Sequence, residues 1–232
     1  MIELLLPFFL IFLCLLALFI IWRISARKYI SSGTVASAYD NWTQDKLLER
    51  LWGEHIHLGF YASGKKNIDF REAKVQFVHE LVKWSGLYKL PKGSRILDVG
   101  CGIGGSSRIL AKYYGFNVTG ITISPAQVKR ARELTPSGYN CNFQVMDALD
   151  LQFEDGSFDA VWSVEAGAHM NNKNKFADEM LRTLRPGGYL ALADWNSRDL
   201  RICPPTFFEK LVLNQLLEQW VHPNFISINE FS

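Results

Sequence analysis

The sequence predicts an α/β fold built on a doubly wound parallel sheet. Short apolar runs alternate with amphipathic segments between residues 69 and 197, which is the pattern of parallel strands covered by helices on both faces. A glycine-rich turn follows the first apolar run, at residues 100–105. Polar side chains recur where the later runs end. These three observations together favour a nucleotide-binding type of sheet.

Composition and charge favour a globular protein. The 232 residues are 48% hydrophobic and 21% charged, which suits a packed core. The net charge is +2 and the basic residues are dispersed, so no nucleic-acid partner is expected. The four cysteines show no paired spacing, which disfavours both a disulfide framework and a zinc site. We therefore expect no metal.

The first 23 residues contain an unbroken apolar run, Leu4–Trp22. At about 1.5 Å per residue, a helix of this length nearly spans a hydrocarbon core of roughly 30 Å. A core helix would show a polar stripe, and a cleaved signal peptide would carry positive charge before the run. Instead, Arg23, Arg27 and Lys28 follow it, which places the rest of the chain on the cytoplasmic side. We predict a single-pass transmembrane anchor over residues 1–23.

Residues 24–68 are expected to form a linker and an N-terminal cap or lid. Five side chains of this segment are candidates for lining a substrate site: Trp52, Glu54, His55, His57 and Tyr61. The two histidines could also bind a metal or be satisfied inside a packed cap. No second carboxylate–histidine group stands nearby, so the metal interpretation is the weakest of the three. Glycines beside aromatic and ionisable groups are typical of a closing lid.

The core is predicted over residues 69–197. Strands are expected at 96–99, 117–123, 141–146, 158–164 and 189–193, and helices at 69–88, from 106 onward, at 124–134 and at 172–184. The segment 185–188 is expected to be a turn. Residues 198–232 are expected to contain a lid helix and the start of a further C-terminal part. Thr206 and Glu209 form the capping box that would open this helix, which would run through Trp220.

The stretch from Asp98 to the glycine-rich turn is the leading candidate for a ligand site. A strand, a glycine turn and a helix N-terminus bring backbone N–H groups close to a ligand. The glycines are Gly100, Gly102 and Gly104. Asp98 lies before the first of them, where a carboxylate would repel a pyrophosphate and attract a cationic amino group. The pattern therefore predicts a site for S-adenosylmethionine rather than for a dinucleotide.

Three further strand ends carry polar residues that could complete this site. Each pair follows one strand: Thr122 with Gln127, Asp147 with Ala148, and Glu165 with His169. Alone, each has a simpler interpretation, as a turn residue, a solvated helix residue or a helix cap. Because carboxyl ends of parallel strands meet at one edge of the sheet, their joint occurrence favours a ligand site.

The motifs resemble those of a known family. Asp-Val-Gly-Cys-Gly-Ile-Gly-Gly at 98–105 and Leu-Arg-Pro-Gly-Gly at 184–188 resemble the class I, Rossmann-like S-adenosylmethionine-dependent methyltransferases. More narrowly, the strings at 52–61, 121–127 and 162–170 resemble the tocopherol and plastoquinol branch of that class. This class completes its sheet with two further strands, and the sequence stops after five. We therefore expect the fifth strand to be left as an exposed edge, with a cost in stability.

The resemblance implies roles for the cofactor residues. Asp98 and the three glycines would cradle the methionine and ribose parts of S-adenosyl-L-methionine. Asp147 would accept a hydrogen bond from the adenine amino group, with Ala148 against the ring. The class commonly has a carboxylate after the second strand, where this sequence has Thr122, so Gln127 would supply the second ribose contact.

The resemblance also implies methylation of a ring carbon of a prenylated hydroquinone in the bilayer, with a phytyl or solanyl tail. His169 would be the general base, and Glu165 would orient it or steady the sulfonium. His57 and Glu54 are the second choice for these roles. The alternatives are methylation of another lipid (another prenylquinol, a tocopherol, a sterol or an acyl chain), or a non-catalytic S-adenosylmethionine-binding scaffold at the membrane.

Overall fold

A five-stranded parallel sheet forms the centre of the computed structural model, which describes residues 2–25, 28–62 and 68–231, with the side chains of 7–20 in the first helix. The strands are β1 (Arg95–Val99), β2 (Asn117–Thr122), β3 (Cys141–Val145), β4 (Phe158–Val164) and β5 (Leu184–Ala193). Their order is β3-β2-β1-β4-β5, so β1 is central. The predicted parallel α/β sheet is confirmed.

Helices connect and cover the strands. They are α1 (Ile2–Ser25), α2 (Ser32–Gln44), α3 (Leu47–Trp52), α4 (Phe70–Ser85), α5 (Gly105–Tyr114), α6 (Pro125–Leu134), α7 (Lys173–Thr183), α8 (Phe207–Trp220) and α9 (Ile228–Phe231). Short 3₁₀ turns lie at Leu87–Lys89 and Gly167–His169. The capping box predicted for α8 is present, with the Thr206 side chain accepting from the Glu209 backbone N–H.

The register of β1 with its two neighbours aligns the carboxyl ends of these strands at one edge of the sheet. Asp98 lies opposite Gly120 on β2 and opposite Trp162 on β4. Side chains on the two faces of the sheet pack into separate clusters, one with α4 and α5 and one with α7. Because β1 is buried on both faces, it carries a nearly continuous apolar sequence, as parallel strands do. The one charged residue within that buried run is Asp98.

Two predicted boundaries differ from the structure. The segment 185–188 is not a turn before the fifth strand, because β5 already pairs at Leu184 with Phe158 and then again at Tyr189 with Ala160. The intervening residues form a bulge, which proline and glycine tolerate within a strand. Helix α4 ends at Ser85 rather than near residue 88, because Gly86 takes a left-handed conformation that caps it.

The N-terminal apolar run forms α1, and its described side chains are apolar and exposed, among them Phe8, Leu15 and Leu18. Over the described part of the chain, no helix reaches the length and hydropathy needed to cross a membrane. The transmembrane anchor over residues 1–23 therefore stays a prediction.

The segment from α2 to residue 62 covers the carboxyl ends of the strands. Asp40 on α2 accepts hydrogen bonds from the Ser124 hydroxyl and from the Ala126 N–H at the start of α6. Further along, the Leu58 N–H donates to Glu165 Oε1 at 3.0 Å, just after β4. These contacts position the cap over the edge of the sheet at which the sequence places the site.

Candidate active site

A cavity of about 290 Å³ lies between the strand ends and the cap. The predicted site residues that line it are Asp98, Gly100, Gly102, Thr122, Gln127, Asp147, Ala148, Glu165, His169, Trp52, Glu54, His55 and His57. Gly104 and Tyr61, which were also predicted, lie outside its lining. The structure thus brings together residues from four strand ends and from the cap.

Asp98 is the buried carboxylate of the cavity, with 2% of its surface exposed. The Ser107 hydroxyl donates to its Oδ2 at 2.5 Å. Burial raises the pKa of Asp98 to about 7, despite the opposing effect of that hydrogen bond. A carboxyl group with so high a pKa is poorly stabilised in its charged form, so a cation in the cavity would restore stability to it.

The three predicted glycines serve different purposes. Gly102 has φ +56° and open space where a Cβ would stand, so it leaves room for a ligand. At Gly100, a Cβ would lie 2.3 Å from the Cβ of Ala166. At Gly104, it would lie 2.7 Å from the Phe143 ring. The lack of a side chain at Gly104 therefore accommodates packing against β3, and its contact with the cofactor stays a prediction.

The polar residues after β2 are paired with each other. The Thr122 hydroxyl donates to Gln127 Oε1 at 2.6 Å, and both side chains are buried. The Ser124 hydroxyl caps α6 by accepting from the Gln127 N–H at 3.1 Å. After β3, Asp147 Oδ1 accepts from the Leu149 N–H at 2.9 Å, so this residue also shapes its own turn. Strand ends and helix caps thus fix these groups locally.

His169 is held by two segments distant in sequence. The Tyr39 hydroxyl lies 2.8 Å from its Nε2, and the Val221 carbonyl lies 3.4 Å from its Nδ1. A carbonyl can only accept, so Nδ1 carries the proton and Nε2 accepts from Tyr39. Burial lowers the pKa of His169 to about 3 and raises that of Tyr39, so both are neutral near pH 7. The ring of His222 lies 4.3 Å away.

Glu165 forms no hydrogen bond with the His169 ring in the described structure, contrary to the expectation that it orients the imidazole. Its Oε1 accepts from the Leu58 N–H, so the carboxylate fixes the cap instead. Glu165 has φ +53°, and Val221, on the other side of His169, has φ +57°. Left-handed conformations at non-glycine residues cost about 1–3 kcal/mol each and concentrate at functional sites.

His55 and His57 lie in irregular backbone, and their rings contact each other. His57 Nδ1 donates to the Leu58 carbonyl at 2.8 Å, so its Nε2 accepts from His55 Nδ1 at 3.1 Å. Burial lowers the pKa of His55 to about 3 and that of His57 to about 4. Glu54 pairs with Arg108 at 2.6 Å. His57 and Glu54, the second choice for the base and its partner, therefore already have hydrogen-bond or ion-pair partners within the protein.

Several lining residues were not selected from the sequence: Tyr39, Trp195, Leu216, Trp220 and His222. The aromatic stretch around Tyr39 was visible, but nothing in it indicated that Tyr39 would reach a histidine 130 positions away. Trp220, at the end of α8, lines the cavity, and its ring centre lies 6.4 Å from that of Trp52 in the cap. These residues make the wall of the cavity that faces the strand ends strongly aromatic.

The sheet order and the glycine turn after the central strand fit an S-adenosylmethionine-dependent methyltransferase, and comparisons with known proteins show that the chain belongs to this class. Residues 97–192 match the methyltransferase domain family. A solved geranyl diphosphate methyltransferase, in complex with GPP and sinefungin, superposes with a TM-score of 0.67 at 25% identity, covering 86% of this chain and 77% of that one. The class predicted from the motifs is confirmed.

Two related proteins of named function place the chain within a narrower family of methyltransferases. The 2-methyl-6-phytyl-1,4-hydroquinone methyltransferase of Synechocystis sp. is 58% identical over 99% of this chain and 72% of its own length. The chloroplastic tocopherol O-methyltransferase of Arabidopsis thaliana is 37% identical over 80% of this chain and 57% of its own length. The chain therefore belongs to the methyltransferase family that contains these two enzymes, as the resemblance of its motifs predicted.

Proposed function

We propose that this enzyme transfers a methyl group from S-adenosyl-L-methionine to a ring carbon of 2-methyl-6-phytyl- or 2-methyl-6-solanyl-1,4-hydroquinone, in tocopherol and plastoquinone biosynthesis. The observation that carries this proposal is the 58% identity, over nearly the whole chain, to a relative named for that phytyl substrate. The cavity supports it, because a carboxylate-bearing edge of the sheet faces an aromatic wall. The carboxylate edge suits the cationic co-substrate, and the aromatic wall suits the planar ring of the quinol.

The residues along the strand ends fit the co-substrate. Asp98 is a buried carboxylate with a raised pKa at the cavity wall, and Gly102 leaves open space beside it. We assign Asp98 to the amino group, Thr122 and Gln127 to the ribose hydroxyls, and Asp147 with Ala148 to the adenine. S-Adenosylmethionine supplies an electrophilic methyl group on a sulfonium.

On the acceptor side, we assign proton removal to Tyr39 and His169. A neighbouring hydroxyl must lose its proton for the ring carbon to become nucleophilic, and a positioned base contributes about 100- to 10,000-fold. Tyr39 Oη can take that proton while its own proton passes to His169 Nε2, 2.8 Å away. Val221 holds the imidazole in the required tautomer from the other side. Glu165 lies on the same wall, where its charge would steady the sulfonium.

The membrane is part of the proposal. A prenylated quinol stays in the bilayer, so an enzyme tethered there meets its substrate directly. The exposed apolar side chains of α1 support a single-pass anchor, with the catalytic domain on the cytoplasmic side of a plasma or thylakoid membrane. The plant tocopherol methyltransferase is named as chloroplastic, an organelle that contains such membranes. We propose no metal and no nucleic-acid partner.

The test is methylation of defined quinols by the purified full chain. We expect turnover with 2-methyl-6-phytyl-hydroquinone and a product whose new methyl group is bonded to a ring carbon, determined by NMR. Methylation of a tocopherol oxygen instead would favour the activity that the plant relative's name gives. Binding of S-adenosylmethionine without turnover on any quinol, tocopherol, sterol or acyl lipid would leave only the scaffold interpretation.

A further inference from the structure

An open groove of about 470 Å³ lies beside the cavity, between α3 and the start of α4. Its walls are formed by Leu51, Trp52, Leu58, Tyr61 and Phe70. Three of these apolar or aromatic side chains are largely exposed: Leu51 at 51%, Leu58 at 58% and Tyr61 at 56%. A group of exposed apolar side chains that lines a concave surface is a typical ligand or interaction site.

The groove adjoins the cavity. Trp52, His57 and Leu58 line both. The hydrogen bond from the Leu58 N–H to Glu165 fixes the backbone at this junction. The cavity and the groove therefore share one wall, formed by Trp52, His57 and Leu58.

Lys74 also lines the groove, but its ammonium group bonds to the protein around the groove. Only 4% of its surface is exposed. Nζ donates to the carbonyls of Trp52 at 3.1 Å and His55 at 2.8 Å, and it lies 5.1 Å from the centre of the Phe70 ring. Because the Lys74 ammonium already donates to two carbonyls and lies over an aromatic ring, it is not available to bind an anion. The groove therefore favours an apolar occupant.

We propose that this groove binds the isoprenoid tail of the quinol while the ring lies in the cavity. The inference rests on the proposed function and specifies where the tail goes. Small-molecule sites typically enclose about 300–1,000 Å³. The cavity is near the lower end, at about 290 Å³, and it must hold both the co-substrate and a quinol ring. The tail therefore has to leave the cavity, and the groove is an apolar surface that adjoins it.

The test uses the full chain in lipid nanodiscs with Tyr61→Asp and Leu51→Asp. The matched controls are Tyr88→Asp and Leu181→Asp, because Tyr88 is 56% exposed and Leu181 54% exposed, outside both the groove and the cavity. Turnover is measured with a phytyl-tailed hydroquinone and with a dimethylallyl-tailed one. In the groove variants, we expect the ratio of kcat/KM for the phytyl over the dimethylallyl quinol to fall about tenfold or more. The controls should keep the wild-type ratio.

Equal losses on both quinols, or equal losses in the controls, would overturn the proposal. So would an unchanged ratio combined with weaker binding of the groove variants to substrate-free vesicles, because the groove would then be a membrane-docking surface. Equilibrium binding of both quinols, measured with S-adenosylhomocysteine present, separates this proposal from the catalytic one. Suppose that the wild type binds the phytyl quinol more tightly than the dimethylallyl one, that the groove variants lose this preference, and that the wild type methylates neither. That result would refute the proposed function and leave the groove proposal standing.

Discussion

The two sides of the cavity are built in different ways. The side assigned to the co-substrate comes from residues 98–148, at the ends of neighbouring strands, and its polar groups are paired locally. Thr122 bonds to Gln127, five positions on, and Asp98 bonds to Ser107, nine positions on. The acceptor side depends on contacts between remote segments, such as Tyr39 to His169 across 130 positions. Sheet register fixes the first side, and tertiary packing of the cap and α8 fixes the second.

This difference has a functional consequence. The sheet provides a rigid frame, so the groups along its edge need little further support. The acceptor side instead depends on two non-glycine residues with positive φ: Glu165, which lines the cavity, and Val221, whose carbonyl lies 3.4 Å from His169 Nδ1. Its geometry therefore depends on several packed segments at once. We expect substitutions on the acceptor wall to change turnover, and those at the strand ends to change co-substrate affinity.

The largest expected effect is on turnover when the Tyr39–His169 pair is broken. His169→Ala should lower kcat by about 100- to 10,000-fold, because it removes the proton acceptor. Tyr39→Phe should lower kcat in the same direction while removing only one oxygen. In both variants the affinity for S-adenosylmethionine, measured by calorimetry, should stay close to that of the wild type.

A second histidine–tyrosine pair, outside the cavity, provides the control for these two variants. His79 Nδ1 lies 2.8 Å from the Tyr114 hydroxyl, outside the cavity. His79→Ala and Tyr114→Phe should therefore leave kcat unchanged. If they reduce kcat as much as the cavity variants do, the effect is one of stability, and the assignment of His169 fails.

The next largest effect is on co-substrate affinity. Asp98→Asn should weaken S-adenosylmethionine binding by about 10- to 100-fold, because hydrogen bonds to charged groups contribute about 1.5–3 kcal/mol. Burial raises the pKa of Asp98 to about 7, so the carboxyl is neutral below that pH and charged above it. Wild-type affinity should therefore decrease as the pH falls below about 7, and the Asn variant should show no such dependence. Asp159→Asn, on β4 and outside the cavity, serves as the control.

The smallest expected effects separate two glycines. Gly104→Ala should lower the free energy of unfolding by about 2–5 kcal/mol, because it adds a left-handed penalty to overpacking against Phe143. Gly102→Ala has open space around its Cβ, so it should destabilise less and should weaken co-substrate binding more. Thermal unfolding and calorimetric titration of both variants test this difference. The opposite ranking would mean that Gly104, not Gly102, contacts the ligand.

Much of the strand-end side could be predicted from the sequence. Apolar runs, the helix starts near Ser124 and Asn172, and the carboxylate before the glycine turn are local patterns, and the structure places them as expected. The glycines show the limit of such patterns. The spacing indicated three similar glycines, but only the positions of Phe143 and Ala166 distinguish their purposes.

The acceptor side could be predicted only in part. His169 was selected because it follows β4, but its partners could not be identified. Tyr39 and Val221 reach it only through the packing of α2 and α8 over the strand ends. Glu165, four positions before His169, was the natural candidate for a partner. Its side chain accepts from the Leu58 N–H instead, and its backbone has a left-handed conformation that the sequence does not indicate.

The most direct test of the division into two sides is a double-mutant cycle on kcat/KM for the phytyl hydroquinone, with Asp98→Asn and Tyr39→Phe. Effects at independent sites add within about 0.3–0.5 kcal/mol. If the strand ends hold the co-substrate and the acceptor wall removes the proton, the double variant should show the sum of the two single losses within that margin. A coupling energy above about 1 kcal/mol would contradict the account, since the two residues would then act on the same group.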